Sequence, residues 1–182
     1  MRNPLNLALI YGSVRPGRFC DTVASWAIGQ IATRTDFQLA VVDPARDWPQ
    51  LQSEEVRCQI GQADAFVVVT PEYNRSYPGA LKLLVDAFRE EWHAKPVGFI
   101  SYGGVSGGLR AVEHLRNVFV ELHAVPIRDS VAFSNAWDAF AEGKPVDELR
   151  SSRSMQTMLS RLAWWGRALK AAREQDAYGA AA

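Results

Sequence analysis

The chain has 182 residues, of which 48% are hydrophobic and 22% are charged, a composition typical of a globular domain rather than a disordered or fibrous protein. Its 20 basic and 20 acidic side chains balance, so no overall charge favours nucleic acid, an acidic membrane surface or a basic protein as a partner. The opening apolar run is too short for a signal peptide, and no stretch reaches the roughly 20 apolar residues of a membrane span. We therefore expect a cytoplasmic protein with one domain over residues 1–182 and a frayed tail over residues 174–182.

Apolar patterns along the chain predict strands and helices in alternation. Short, nearly continuous apolar runs predict five buried strands at residues 5–11, 37–42, 65–70, 97–102 and 125–133. Apolar residues at helical spacing predict helices over residues 19–34, 54–61, 78–92, 107–122 and 147–174. Pro71 is expected to end the third strand. The stretch that holds Trp137 and Phe140 is predicted to be irregular.

This alternation predicts an α/β fold with a doubly wound, five-stranded parallel sheet of strand order 2-1-3-4-5 and helices on both faces, because parallel strands need long crossover connections. In such sheets, ligands bind beyond the carboxyl ends of the strands, where the strand order reverses. That position lies beside the first and third strands. The loops at residues 12–20, 70–78 and 102–108 are therefore the candidate ligand loops.

The first loop combines a strand-to-helix turn with a hydroxyl group and two arginines. Unpaired backbone N–H groups and the positive end of the following helix dipole favour a phosphate there. Ser13, Arg15 and Arg18 add side chains that hydrogen-bond to anions. The spacing fits neither a P-loop nor the dinucleotide glycine motif, which argues against a nucleoside triphosphate and against NAD at the first strand. A surface loop with solvated arginines is the alternative.

The second and third loops have residue types that suit a planar ligand. Residues 70–79 hold two prolines, two tyrosines and an asparagine, and such a rigid backbone with flat side chains is able to frame a ring. A stiff connection whose tyrosines pack on a neighbouring element explains the same residues. Residues 101–108 include four glycines, which let backbone N–H groups approach a ligand carbonyl or a developing negative charge.

Three motifs in these loops resemble one known family. They are Gly-Ser-x-Arg at 12–15, Pro-Glu-Tyr-Asn-x-Ser-x-Pro-Gly-x-Leu-Lys at 71–82, and Tyr-Gly-Gly-x-x-Gly-Gly-x-Arg-Ala at 102–111. Over roughly residues 5–133 the chain resembles the NADPH-dependent FMN reductases, a flavodoxin-like family that includes quinone, azo-dye and chromate reductases. It departs from many members at Arg18, where they have serine, and at Leu83, where they have asparagine. The resemblance implies a single flavodoxin-like, FMN-binding domain.

The resemblance also implies a role for each loop. The first loop would hold the FMN phosphate, the second would lie along the isoalloxazine ring and ribityl chain, and the third would meet the pyrimidine edge. The cofactor-binding residues implied in this way are Ser13, Arg15, Arg18, Phe19, Cys20, Pro71, Glu72, Tyr73, Asn74, Ser101, Tyr102, Gly103 and Gly104.

The function implied by the resemblance is hydride transfer from NADPH or NADH through FMN to a small acceptor such as a quinone, an azo compound, a free flavin or an oxidised metal. No side chain stands out as a catalytic acid, base or nucleophile, as a flavin mechanism predicts, because the cofactor performs the redox chemistry. The histidines lack the spacing of metal ligands, and Cys20 and Cys58 are expected to be free, buried thiols. The alternative is a non-enzymatic, flavin-binding electron carrier or a redox-responsive binding protein.

The helix predicted over residues 78–92 is the expected interface of a homodimer or a dimer of dimers. It has more apolar residues than one core-facing stripe needs, and we expect Leu84 to lie at the contact. The resemblance implies that this helix packs against its symmetry mate. Trp137 or Phe140 is then expected to reach across the interface and line the nicotinamide pocket.

Overall fold

The structure is a computed structural model that describes residues 3–47 and 52–179. Its main sheet has five parallel strands in the order β2-β1-β3-β4-β5, which confirms the predicted doubly wound, flavodoxin-like fold. The strands are β1 (Leu5–Tyr11), β2 (Phe37–Val42), β3 (Ala65–Pro71), β4 (Pro96–Tyr102) and β5 (Val125–Phe133).

Seven α-helices lie in the described part of the chain. They are α1 (Cys20–Ala32), α2 (Pro44–Asp47), α3 (Glu54–Gln62), α4 (Gly79–Asp86), α5 (Leu109–Glu121), α6 (Ala136–Ala139) and α7 (Glu148–Gln175). A 3-10 turn covers Glu90–Trp92. Two short antiparallel strands, β6 (Phe140–Ala141) and β7 (Lys144–Pro145), form a small hairpin where irregular structure was predicted.

The sheet has a hydrophobic core on each face, which explains why its central strands are apolar at nearly every position. In β1, Leu7 and Leu9 pack in the core formed with α1 and α7, whereas Ala8 and Ile10 pack in the core formed with α3, α4 and α5. A strand covered by helices on both sides has no solvent-facing residues, so its sequence does not alternate between apolar and polar.

The helix predicted over residues 78–92 is wrong in its second half. Helix α4 ends at Asp86, and the chain re-enters the core at Trp92, which is fully buried. The Trp92 indole N–H donates to the carbonyls of Val85 and Phe88, at 3.0 and 3.2 Å. Carbonyl groups released at the end of the helix thereby gain a partner, and the side chain fills the core under α4.

Leu84 is also placed differently from the prediction. Its side chain is fully buried inside one copy of the chain, as are those of Leu81 and Val85, whereas Leu83 is 55% exposed. The apolar residues of α4 therefore fill the protomer core, and an interface formed by this helix would use Leu83. Cys58 is likewise exposed rather than buried, although both cysteines are free.

The structure ends the third strand and the last helix one residue later than predicted. Pro71 is the last residue of β3 and pairs with Tyr102. A proline has no N–H to donate, but this costs little at the end of the strand because the next amide, that of Glu72, donates to the Tyr102 carbonyl at 3.1 Å. Helix α7 runs to Gln175, and residues 180–182 of the predicted tail lie outside the described residues.

None of the helices in the described ranges is both long and apolar enough to cross a membrane.

Candidate functional site

The three predicted ligand loops follow the carboxyl ends of β1, β3 and β4, which are neighbours in the sheet. Gly12 begins the first loop and donates its N–H to the Val69 carbonyl at 2.7 Å. A Cβ at this position would lie 2.6 Å from that carbonyl oxygen and 2.9 Å from the Thr70 Cα. Only glycine therefore lets the first loop leave the sheet so close to β3.

The first loop has backbone N–H groups free for a ligand. The amides of Ser13, Val14, Gly17, Phe19 and Cys20 have no hydrogen-bond acceptor among the described residues. Phe19 caps α1 without a side-chain hydrogen bond, so the positive end of the helix dipole is not neutralised by its own cap. This arrangement suits an anion.

Ser13 and Arg15 connect the first loop to the second through Tyr73. The buried Ser13 hydroxyl lies 2.8 Å from the Tyr73 hydroxyl, and the Arg15 guanidinium lies 3.7 Å from the centre of the Tyr73 ring. A cation over an aromatic face is attracted by the ring electrons. The exposed Arg15 therefore lies over the second loop and beside the free amides of the first.

Arg18 makes a network within the protein. Its guanidinium forms two hydrogen bonds to Asp43, at 2.7 and 2.6 Å, and further ones to Asp21 and to the Ser13 carbonyl. The hydrogen bond to Asp43 is the main cause of a raised Arg18 pKa. Burial opposes ionisation of Asp43, but the hydrogen bonds from Arg18 and the Ala45 amide and the charges of Arg18 and Arg46 together outweigh it, so the pKa of Asp43 is lowered. Four of the five N–H groups of Arg18 thus have protein partners, and its contact with phosphate stays a prediction.

Asp43 is a functional candidate that sequence reasoning missed. It directly follows β2 and is 4% exposed, so it lies at the carboxyl end of the strand beside β1. A lone acidic residue directly after a buried strand was the available signal, because such a carboxylate needs a cation.

The second loop turns tightly at Asn74 and Arg75. Both residues have positive φ, 50° and 70°, and Tyr73 and Ser76 exchange backbone hydrogen bonds of 2.8 and 3.0 Å. Two successive residues with positive φ are typical of a type I′ turn, for which asparagine is favoured. The turn fixes the Tyr73 ring next to the first loop.

Glu72 contacts the third loop and the helix that follows it. Its carboxylate accepts from the Ser106 hydroxyl at 2.7 Å, from the Arg110 amide at 3.2 Å and from the Arg110 guanidinium at 2.7 Å. Burial opposes ionisation of this side chain, but these hydrogen bonds outweigh it, so the Glu72 pKa lies below its ordinary value. No local sequence pattern indicates this contact between loops.

The third loop combines fixed and free backbone groups. The Gly103 amide donates to the Phe133 carbonyl at 3.2 Å, and the buried Ser101 hydroxyl donates to the Gly107 carbonyl at 2.8 Å. The amides of Gly104, Val105 and Ser106 have no acceptor among the described residues. Ser101 and Gly103 therefore shape the loop, and the three residues after Gly103 offer the donors.

Phe19, Cys20 and Tyr102 pack beneath the loops. The rings of Phe19 and Tyr102 lie 5.8 Å apart, and the Cys20 thiol is fully buried with its sulfur 3.6 Å from the Val69 carbonyl. Burial raises the pKa of Cys20 and also that of Tyr102. Both groups therefore stay neutral near pH 7, and Cys20 has the environment of an inert thiol.

The two aromatic residues expected at a nicotinamide pocket have different environments. The amides of Asn135 and Ala136 donate to the carbonyls of Gly104 and Gly103, at 2.8 and 2.9 Å, so the following residue, Trp137, lies next to the third loop. Its side chain is 70% exposed. Phe140 is buried and packs on Phe19, Trp26 and Phe133. The prediction that Phe140 is available to a ligand is wrong.

A cavity of 820 Å³ lies at the opposite end of the sheet, away from all three loops. It is lined mainly by residues near the amino ends of β3, β4 and β5, which are Gly61, Glu90, Glu91, His93, Lys95, His123, Arg173, Tyr178 and Gly179. Lys95 is 6% exposed and donates to the carbonyls of Ile60 and Gly61, at 3.1 and 2.7 Å. The volume of this cavity would favour a ligand site at the amino ends of the strands. The unpaired backbone N–H groups, however, lie at the loops.

The fold and the three convergent loops define a flavodoxin-like protein whose ligand loops lie at the carboxyl edge of the sheet. The family model for NADPH-dependent FMN reductase matches residues 5–138. An NAD(P)H-dependent FMN reductase of Pseudomonas aeruginosa is 31% identical over 93% of this chain and 100% of its own length. A quinone reductase of Escherichia coli K12 is 35% identical over 69% of this chain and 74% of its own. The chain belongs to the NADPH-dependent FMN reductase family.

A solved structure has a similar fold. FerB, a flavoenzyme NAD(P)H:(acceptor) oxidoreductase from Paracoccus denitrificans, superposes with a TM-score of 0.72 at 21% identity, and the match covers 90% of this chain and 97% of FerB. Family membership confirms the predicted class, an oxidoreductase that uses FMN and a nicotinamide cofactor.

Proposed function

We propose that the chain binds FMN at the three loops described above and reduces a small quinone with electrons from NADPH or NADH. The observation that carries the proposal is the set of eight amides in the first and third loops without an acceptor among the described residues. Five belong to the first loop, at Ser13, Val14, Gly17, Phe19 and Cys20, and three to the third, at Gly104, Val105 and Ser106.

The first loop is proposed to hold the FMN phosphate. A phosphate monoester carries nearly two negative charges at neutral pH, and it would accept from the free amides of this loop. Arg15 is the cation left for it, since Arg18 is engaged by Asp43 and Asp21. We therefore assign the direct contact to Arg15 and to Arg18 the role of holding the Ser13 carbonyl in place.

The second and third loops are proposed to hold the ring system. Tyr73 and Asn74 would lie along it, and the amides of Gly104, Val105 and Ser106 would donate to its pyrimidine edge. Donors fixed in advance at a site where negative charge develops lower the barrier, because they need no reorganisation during the reaction. When bound, FMN supplies the two-electron chemistry between nicotinamide and acceptor.

A quinone is the proposed acceptor. The E. coli relative is named a quinone reductase, and exposed apolar side chains surround the third loop, with Val105 88%, Leu109 50% and Trp137 70% exposed. Flat apolar molecules bind well to such surfaces. Membership of an enzyme family favours this function over the electron carrier or redox-responsive protein.

Purified protein mixed with FMN tests the proposal. We expect a flavin absorption spectrum that bleaches on addition of NADPH or NADH, and steady-state turnover once 1,4-benzoquinone is added. A protein that carries FAD, or that does not bind FMN, would contradict the site. A protein that binds FMN but fails to turn over with a quinone, an azo dye, free flavin or chromate would be a carrier.

We also propose that the enzyme is a cytoplasmic homodimer, or a dimer of dimers, with α4 at the interface. Leu83 is the exposed apolar residue of that helix, and a two-fold contact would bring both copies of it together. Leu83→Glu should then shift the mass measured by light scattering towards the monomer, whereas Leu149→Glu, at an even more exposed position on α7, should not. A wild-type monomer with full activity would refute the interface. The free thiols of Cys20 and Cys58 suit the reducing cytoplasm.

A further inference from the structure

The Glu72 side chain joins the second loop to the third. It is 8% exposed, and its three hydrogen bonds reach the Ser106 hydroxyl and both the amide and the guanidinium of Arg110. Family resemblance implied that Glu72 contacts FMN. The side chain instead makes three hydrogen bonds to protein groups, which use three of the roughly four acceptor positions of a carboxylate.

The third loop needs such a contact because its own sequence does not determine its shape. Gly107 and Gly108 have φ values of 60° and 82°, and four glycines within eight residues leave the chain many other conformations. The free amides that follow Gly103 include that of Ser106, the residue whose side chain Glu72 holds.

We propose that Glu72 is a positioning residue of the reductase: its carboxylate holds Ser106 and Arg110 so that the third loop presents its N–H groups to the flavin. This inference rests on the proposed function. Hydrogen bonds to a charged acceptor are the stronger kind, and the Glu72 side chain that accepts them is only 8% exposed. Glu72 therefore acts on the cofactor through the loop and not by direct contact.

A double-mutant cycle on Glu72 and Arg110 tests the proposal. Glu72→Gln removes a negative charge and Arg110→Gln removes a positive one, so a direct field effect would shift the midpoint potential of bound FMN in opposite directions. Release of the third loop would lower the potential in both variants, because each loses donors that stabilise the reduced flavin. The double variant should then resemble Glu72→Gln, since the two residues act as one unit.

Riboflavin affinity supplies a second measurement, because riboflavin has the ring but lacks the phosphate. We expect Glu72→Gln to weaken riboflavin binding about ten-fold, the effect of one charged hydrogen bond. The matched control is Glu113→Gln on α5, an exposed carboxylate paired with Arg116, which should leave affinity and potential unchanged. If Glu72→Gln folds poorly, Ser106→Ala removes the same contact from the loop side.

Potentials that shift in opposite directions, additive effects in the double variant, or unchanged riboflavin affinity would each overturn the positioning role. A wild-type protein that binds no FMN would instead refute the proposed function, so the two failures are distinguishable.

Discussion

The two ends of the sheet use polar groups in opposite ways. At the amino ends of the strands, the buried Asp64 accepts from the Asn6 amide at 3.0 Å, from Lys170 at 2.9 Å and, more weakly, from Arg173. Lys95 donates to two carbonyls at the same end. At the carboxyl ends, eight amides of the first and third loops have no partner among the described residues. The polar groups named at the amino ends are paired within the protein, whereas the loops at the carboxyl ends keep N–H groups free for a ligand.

We therefore expect stability and cofactor binding to be separable in this molecule. Polar groups paired within the protein stabilise it, because unpairing a buried one costs about 1–3 kcal/mol. Donors left open to water add little to stability but are available to a ligand. Substitutions at the amino end should therefore change unfolding more than FMN affinity, and those at the carboxyl end should mostly do the reverse.

Gly108→Ala should have the largest effect and is the exception that affects both properties. The residue has φ 82°, and a Cβ would lie 2.7 Å from the Ser101 Cβ and 2.9 Å from the Tyr102 nitrogen. We expect a loss of about 3 kcal/mol in the free energy of unfolding, from strain and overlap together, and loss of FMN binding. Urea unfolding and flavin fluorescence measure the two effects.

The matched control for this substitution is Gly29→Ala in α1. Apart from the adjacent residues and the backbone of its own helix, no atom lies within 4 Å of its Cβ position, and alanine in a helix interior should stabilise by about 0.5–1 kcal/mol. Unimpaired FMN binding by Gly108→Ala would contradict the described shape of the third loop.

Asp64→Asn should destabilise the protein by about 2 kcal/mol, because Lys170 and Arg173 lose their charged partner in a buried setting. FMN affinity should not change, since the amino end is far along the strands from the loops. Asp129→Asn, which affects a partly exposed pair with Arg161, should cost less than about 1 kcal/mol. If Asp64→Asn weakened FMN binding but left the free energy of unfolding unchanged, the proposed separation of stability from cofactor binding would be contradicted.

Arg15→Ala should weaken FMN binding by about 1.5–2 kcal/mol, the contribution of a charged hydrogen bond to phosphate. Riboflavin affinity and the free energy of unfolding should barely change. Arg128→Ala, an exposed arginine on β5, is the control. Equal losses for FMN and riboflavin in a fluorescence titration would place Arg15 at the ring and not at the phosphate.

Lys95 should give the amino end a small pH dependence. Burial is the main cause that lowers its pKa from 10.5 to about 8, so between these values the unfolded chain binds more protons than the native one. Stability from this group therefore rises as pH increases from about 8 towards 10, by on the order of 1 kcal/mol. Urea unfolding at pH 8, 9 and 10 should show this slope in wild type and in Lys82→Met, but not in Lys95→Met. The same slope in Lys95→Met would assign it to another group.

Much of the fold was predictable because burial on both faces leaves a plain sequence signal. The bounds of β1, β2 and β5 match the apolar runs, and the strand order follows from their alternation with helices. Sequence periodicity did not show that Trp92 turns back under α4 or that Leu84 is a core residue. The positions of these two side chains depend on how the helices and strands pack together in the tertiary structure.

The candidate site was predictable in its loops and less so in its contacts. Ser13, Arg15 and Tyr73 come together as loops that follow adjacent strands should. The Arg18–Asp43 pair joins residues 25 positions apart, and the Glu72 contacts join residues 34 and 38 positions apart. Such pairs depend on loop conformation, which no local pattern specifies. Residue type therefore suggested a ligand contact for Arg18, and family resemblance implied one for Glu72.

The most direct test of the separation between the two ends is an NMR titration of ¹⁵N-labelled protein with FMN. We expect the largest shifts at the amides of Val14, Gly17, Phe19 and Cys20 and at residues 104–106, with little change at His93, Lys95 and His123. Omitting the phosphate, by use of riboflavin, should remove the shifts of the first loop and keep those of the third. Shifts concentrated around the 820 Å³ cavity, with the loop amides unmoved, would contradict the account.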